Sequence, residues 1–294
     1  MADVLPRPQS RPRPHRASRS GRDGRRRSHL AIHLVLAVGG FVMAFPFLWE
    51  LIMSLSTNAE VQSVTPTFWP AHLEWHNYSD VFAELPFLHQ LWVSVLITVI
   101  RTSAQIVLCT IAGYAFARMR FPLKGVLFGV VLSILLVPSQ AYLISQYQIV
   151  QHLGWLNTTL GIVAPGLFSA FGTFLMRTAF RNLPVELEEA ARLDGAGPFQ
   201  IFWRVMLPLA RPSITVLAIA TVLWSWNDLL WPLVVSTDST HMPLSAGLAT
   251  IASDVTINYP VLMAASLMAM APVLITFIAL QRRVIDGLAS SGIK

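Results

Sequence analysis

The chain is short of charge and of cysteine. Only 12% of its 294 residues are charged and one is a cysteine, Cys109. Soluble domains carry about 25% charged residues. Half that value, with a mean hydropathy of +0.57, excludes an ordinary soluble domain and indicates an integral membrane protein. One cysteine inside an apolar run excludes a disulfide framework and a thiol-rich metal site. No two of the eight histidines stand at metal-ligand spacing with a carboxylate on one helix. There is no G-x-x-x-x-G-K-[ST] loop to cradle a nucleotide phosphate and no Ser/His/Asp cluster, so catalysis and cofactors are not expected on this chain. A net charge of +6 and an isoelectric point near 10.1 would suit a nucleic-acid binder. The charge is not on a folded face, however: nine of the 21 basic residues lie in the first 27 positions.

Residues 1–28 are rich in Arg, Pro, Ser and Gly. Such a segment cannot bury enough apolar surface to offset its ordering entropy and is expected to be a disordered basic tail. It could tether the chain to anionic lipid or be only a solvated tail. Residues 29–294 form the membrane domain. Six runs of roughly twenty apolar residues read as helices near 30–55, 90–117, 124–144, 158–178, 212–235 and 259–281. The first is too long for a signal-peptide core and no clear cleavage site follows it. The fourth carries Gly161, Pro165, Gly166 and Gly172. Such breakers are tolerated where neighbouring helices satisfy the freed backbone groups, so this span is expected to face the protein interior.

With six spans both termini share a side. Twenty of the 21 basic residues fall on it, and the opposite loops, 56–89, 145–157 and 236–258, hold Glu60, Glu74, Asp80, Glu84, Asp238 and Asp254 but no Lys or Arg. The positive-inside rule then puts both termini in the cytoplasm. The exception is Arg101, within the second span. It lies 17 residues from Arg118, as Asp228 in the fifth span lies 17 from Arg211. At about 1.5 Å per residue both stand roughly 25 Å above those arginines. Three readings of Arg101 remain open: a pair with Asp228, snorkelling to outer headgroups, or contact with a solute.

Between the fourth and fifth spans lies a polar insert, 182–210. Pro184 suits a first helical turn, and Glu186, Glu188 and Glu189 complement the helix dipole. Gly195 suits the left-handed residue that stops a helix. A second short helix, about 198–206, is expected to end at Leu207-Pro208. Ala190 and Ala191 would leave a low, close-packing surface beside an acidic rim. The product is either a rigid knob for a partner's cleft or an amphipathic hairpin on the membrane.

Glu189-Ala190-Ala191, then Asp194-Gly195-Ala196, then Leu207-Pro208 resembles the signature loop of permease subunits of binding-protein-dependent importers of the ATP-binding cassette (ABC) class. Ala112-Gly113-Tyr114-Ala115-Phe116-Ala117-Arg118 and Trp226-Asn227-Asp228-Leu229-Leu230-Trp231-Pro232 are similar to motifs of the maltose-type sugar permeases, which often carry Glu where Asp228 stands. Gly287-Leu288-Ala289 and Gly292-Ile293-Lys294 resemble their C-terminal tail, which in that branch reaches the ATPase dimer interface. The resemblance implies an all-α membrane protein of six transmembrane helices in the inner membrane. Glu188, Glu189, Ala190, Ala191, Asp194, Gly195 and Ala196 would couple to an ATPase dimer that holds the ATP and Mg. The other implied partners are a second permease subunit, an extracytoplasmic solute-binding protein and the lipid bilayer, with no nucleic acid. Trp226, Asn227, Asp228 and Arg101 are candidates for the substrate path, since aromatic faces stack on sugars while Asn and Asp bond hydroxyls. An interfacial Trp belt is the competing reading, above all for Trp231. The external loop, with Phe68-Trp69-Pro70, Trp75 and Tyr78, would dock the binding protein or cap the spans. The solute would be a carbohydrate or, as the alternative, glycerol phosphate, a glycerophosphodiester or a polyol. A stand-alone secondary carrier would need internal repeats or buried acidic chains, which the sequence does not display.

Overall fold

The computed structural model describes the backbone of residues 20–65, 68–252 and 257–291 and the side chains of 32–65, 68–252 and 257–278. Most of the expected disordered tail, 1–28, therefore lies outside the described residues, as do Gly292-Ile293-Lys294. The first helix runs Ser20–Ser54, taking in the end of the segment read as a tail. The described residues contain helices and no strand.

Three helices are long and apolar enough to cross a membrane unbroken: Ile32–Ser54, Phe87–Arg118 and Tyr259–Ile278. Three bent pairs of helices pass the same test of length and composition together, for up to six crossings if each pair is one. From Ile32 to Leu48 the first helix exposes its side chains, an apolar surface that a hydrocarbon layer would cover. The remainder, from Glu50, forms a second compact unit.

The bends correct the expectation of simple spans. The third crossing turns by 99° between Lys124–Leu136 and Ser139–His152. Val137 precedes Pro138 and is extended (φ −95°, ψ 119°), because the proline ring disfavours helical backbone in the residue before it. The segment 145–157, expected as an outer loop, is thus helical as far as His152. The fourth crossing bends by 41° between Thr159–Gly166 and Ala170–Asn182. The fifth, expected as continuous over 212–235, stops at Trp226 and resumes as Leu230–Val235. In an unbroken helix the Pro232 ring would strike the carbonyl of residue 228. That carbonyl instead accepts the Ser245 hydroxyl at 2.6 Å.

Phe87–Arg118 is the central post. Its outward residues, among them Trp92, Val99, Val107 and Ile111, are apolar and exposed. Its inward face carries Gln90, Ser94, Thr98, Arg101 and Gln105, all buried. These steps of three or four residues hold one helix face. The face is polar because it serves the broken elements around it. Ser94 Oγ accepts the Leu244 N–H at 2.7 Å, Gln105 donates to the Gly166 carbonyl at 2.8 Å and accepts the Thr221 hydroxyl at 2.9 Å, and Cys109 Sγ lies 3.4 Å from the Ser169 carbonyl. Backbone groups freed inside a bilayer need such partners. As expected, the glycine-rich fourth span packs inward, burying Ile162, Thr173, Met176 and Phe180.

Candidate functional site

Two regions gather the candidate residues. The first is the insert between the fourth and fifth crossings. Its first helix is Glu186–Leu193, with three glutamates in the first turn and Arg192 in the last. Pro184 stands just ahead of it rather than in its first turn. Gly195 has φ +83°. The Gly195 N–H donates to the Arg192 carbonyl and the Ala196 N–H to the Ala191 carbonyl, a Schellman stop that favours glycine at the left-handed position. The Gln200 side chain then accepts the Gly197 N–H at 3.0 Å and starts a second helix. This helix does not end at Leu207-Pro208. It continues over Pro198–Leu209, through a π-helical stretch Ile201–Met206, and turns by 71° into Arg211–Trp226. The turn falls at Ala210 because the Pro212 ring leaves no room for the carbonyl four residues earlier.

The insert presents two faces. Glu188, expected on an outer acidic rim, is 3% exposed and turned inward. Its carboxylate lies 3.3 Å from Arg118 Nε and 3.5 Å from Arg192 Nη2. Arg118 also donates to the Phe180 and Leu183 carbonyls, binding the C-terminal end of the second span to the end of the fourth. Ala191 and Ala196 pack on a core of Met176, Phe180, Ile201, Phe202 and Met206. Glu189, Ala190 and Asp194 are exposed, and so are the large apolar Leu193 (89% exposed), Phe199 (75%) and Trp203 (59%) of the same insert. The Phe199 and Trp203 rings are stacked at 6.2 Å. None of these three was a site candidate from the sequence, although large apolar side chains in a polar insert are themselves a signal.

The second region is the break in the fifth span. Arg101 Nη1 lies 2.7 Å from Asp228 Oδ2, and Nη2 donates to the Ile162 carbonyl at 2.5 Å. The pair with Asp228, one of the three readings of Arg101, forms. The guanidinium joins the breaks of the fourth and fifth spans, and Trp231 Nε1 adds a bond to the Gly161 carbonyl at 3.1 Å. Trp231 is therefore buried structure rather than interfacial belt. The four path candidates divide between two cavities. Arg101 and Asp228 line one of about 210 Å³ with Tyr142 and Gln146. Trp226 and Asn227 line another of about 260 Å³, which also holds Glu50. The sequence reading omitted Glu50, although a lone carboxylate in an apolar run marks a functional candidate.

The loops expected on the outer side divide as well. Asn77 donates to the Ser54 and Ser56 carbonyls at 2.9 and 3.0 Å, and the Tyr78 hydroxyl meets Ser54 Oγ at 2.9 Å, so this part caps the spans. Trp69 and Trp75 are exposed. In the loop after the fifth span, the Thr240 N–H, the Thr240 hydroxyl and His241 hold the Asp238 carboxyl down at about 2, against an ordinary 3.8. A depressed carboxyl contributes stability above its ordinary value and loses it as pH falls through the folded one. The protection factors of residues 237–241, intrinsic over observed exchange rate at each pH, are accordingly expected to hold at pH 5 and fall between pH 4 and 2; unchanged protection factors at pH 2 would contradict this.

Residues 105–289 match the family described as binding-protein-dependent transport system inner membrane component. The chain belongs to that family. It is 33% identical over 261 residues to the arabinooligosaccharides transport system permease protein AraQ of Halalkalibacterium halodurans, covering 86% of this chain and 92% of that protein. It is 30% identical over 267 residues to the lactose transport system permease protein LacG of Rhizobium radiobacter (91% and 97%). It is 28% identical over 277 residues to the sn-glycerol-3-phosphate transport system permease protein UgpE of Yersinia enterocolitica (92% and 99%). The fold is that of a chain in the crystal structure of a bacterial ABC transporter involved in the import of the acidic polysaccharide alginate. The TM-score there is 0.76 at 24% identity, over 90% of this chain and 98% of that one. An inward-facing methionine ABC transporter, MetNI, aligns with TM-score 0.51 at 18% identity over 68% and 95%. This inner membrane component is thus a multi-pass permease subunit of a transport system.

Proposed function

We propose that this chain forms half of the translocation pathway of an ATP-driven carbohydrate importer. The 182–210 insert docks into an ATPase subunit on the cytoplasmic side, where both termini lie. ATP and Mg belong to the ATPase dimer; a second permease completes the pathway; an extracytoplasmic binding protein delivers the solute to the loop bearing Trp69 and Trp75. One observation carries the coupling reading: Leu193 and the stacked pair Phe199 and Trp203 stand exposed on a segment clamped to the spans by buried Glu188. Apolar rings exposed on a rigid mount mark an interaction surface, and the clamp lets motion of the insert reach the second and fourth spans. Carbohydrate as the solute is supported by the names of the AraQ and LacG relatives; the UgpE relatives keep glycerol phosphate as the second reading.

The test is purification of the tagged chain from its own membrane in mild detergent, with mass spectrometry of what accompanies it. An ATPase, a second permease and a binding protein are expected. Leu193→Glu with Phe199→Glu should leave the chain inserted but free of ATPase. Gly195→Val should retain insertion and lose at least nine-tenths of uptake, because a β-branched residue is a genuine outlier at positive φ. A chain that emerges alone and moves solute in liposomes without ATP would be a carrier, and this reading would be wrong.

A further inference from the structure

We infer that the 260 Å³ cavity beside the fifth-span break is a subsite for one residue of a neutral saccharide, with Glu50 as the group that accepts its hydroxyls and repels anionic solutes. The inference rests on the importer reading and narrows its solute. Glu50 and His33 are the titratable residues of the Ile32–Ser54 span. A carboxylate in hydrocarbon is costly, and such groups face the protein interior or a water-filled cavity. Glu50 lines the cavity with Trp226, Asn227, Ser245, Ser266 and the apolar Met270. The lining is mixed in the way a sugar ring is. A carboxylate and an amide suit hydroxyls, and the indole and thioether suit C–H faces. Trp226 is held by an Nε1–H bond to the Ala269 carbonyl at 3.2 Å and Ser245 by its bond to the Asp228 carbonyl, so both are fixed in place. The volume lies just under the roughly 300–1,000 Å³ of pockets that take drug-sized ligands, a size for one ring rather than a chain of them.

Charge separates the two solute classes named by the relatives. A phosphate-bearing solute in this cavity would face the Glu50 carboxylate, which has no cationic partner among the described residues, and like charges in one site disfavour binding. The cation within the spans close to the break is Arg101, and Asp228 and the Ile162 carbonyl occupy it. Anion transport would have to open that pair. A neutral saccharide leaves it intact and gives Glu50 donors to accept.

The experiment uses the whole importer, this chain with its ATPase, second permease and binding protein, in cells and in proteoliposomes. The labelled probes are arabinotriose, lactose and sn-glycerol 3-phosphate. Wild type should take up a saccharide and not the phosphate. At saturating saccharide, Glu50→Gln should move about ten-fold less solute per ATP hydrolysed, because a charge-assisted hydrogen bond is lost, while ATP hydrolysis and co-purification of the partners persist. Ser266→Ala, a smaller perturbation at the same cavity, should lower the ratio about three-fold and carries the test if Glu50→Gln fails to assemble. Excess sn-glycerol 3-phosphate, inert on wild type, should inhibit Glu50→Lys. Saccharide uptake unchanged in both Glu50→Gln and Ser266→Ala overturns the subsite and leaves the importer reading standing. Uptake of sn-glycerol 3-phosphate, or of none of the three probes, overturns the neutral-saccharide assignment. Loss of ATP-dependent uptake together with loss of the ATPase on purification is instead the signature of Leu193→Glu with Phe199→Glu and of failed coupling.

Discussion

Arg101→Ala is expected to cost up to about 3–5 kcal/mol, the usual effect of removing one partner of a fully buried ion pair, reduced by the water that reaches the one-quarter-exposed Asp228 left behind, and to leave little protein that survives detergent extraction. Arg101 is 6% exposed and answers two needs at once. Without it the Asp228 carboxylate has no counter-charge and the Ile162 carbonyl loses its side-chain donor at a helix break. The double variant Arg101→Ala with Asp228→Ala should recover only the part due to the charge. Exchanging the residues, Arg101→Asp with Asp228→Arg, should fall short for the same reason, since aspartate cannot donate to Ile162. Size-exclusion profiles and thermal midpoints of the four proteins decide. Full recovery by the exchange would reduce Arg101 to one half of a pair; a normal midpoint for Arg101→Ala alone would remove it from the architecture.

Gly113→Leu is expected to prevent assembly of the domain, and Gly113→Ala to lower stability by about 1–3 kcal/mol through overpacking. A β-carbon at Gly113 would stand 2.5 Å from Met176 Cβ and 2.8 Å from the Arg177 backbone nitrogen. Two of the three nearest atoms are backbone, so no rotamer change relieves the clash. The second and fourth spans must separate, and the separation passes to the Arg118 bonds with Phe180 and Leu183 and so to the insert. Small residues at helix crossings allow this approach of backbones in a membrane. Gly125→Ala is the control: nothing lies within 4 Å of that position, and its midpoint should match wild type or exceed it. Equal midpoints for Gly113→Ala and wild type would refute the close crossing.

The crossings were legible because the bilayer imposes a length and a composition that hydropathy reads directly. Their continuity was less so. A hydropathy window averages side chains and is blind to whether the backbone between them is helical. Thus 124–144 and 212–235 read as simple spans, although Pro138 and Pro232 mark both breaks in the letters. Equal spacing from the inner arginines brought Arg101 and Asp228 to one height, and the pair forms; that Arg101 would also reach Ile162 depended on a break 61 residues away. In the insert, the left-handed stop at Gly195 followed from local chain chemistry. The inward turn of Glu188 did not, because the Arg118 that receives it comes from the end of another span.

What the sequence determined by itself, then, are the properties set by local chemistry and by the solvent: a membrane class from sparse charge, six crossings from apolar runs, a helix–stop–helix insert from its acids and glycine, and the family from its loop. The tertiary structure alone decided which side chains meet. It turned one face of Phe87–Arg118 into a ladder of donors and acceptors for broken neighbours, placed Glu50 in a cavity with Trp226 and Asn227, and separated these from Arg101 and Asp228. The physical reason is that a buried polar group in a bilayer must find its partner wherever the fold brings one, and the partner's distance along the chain carries no information about its distance in space.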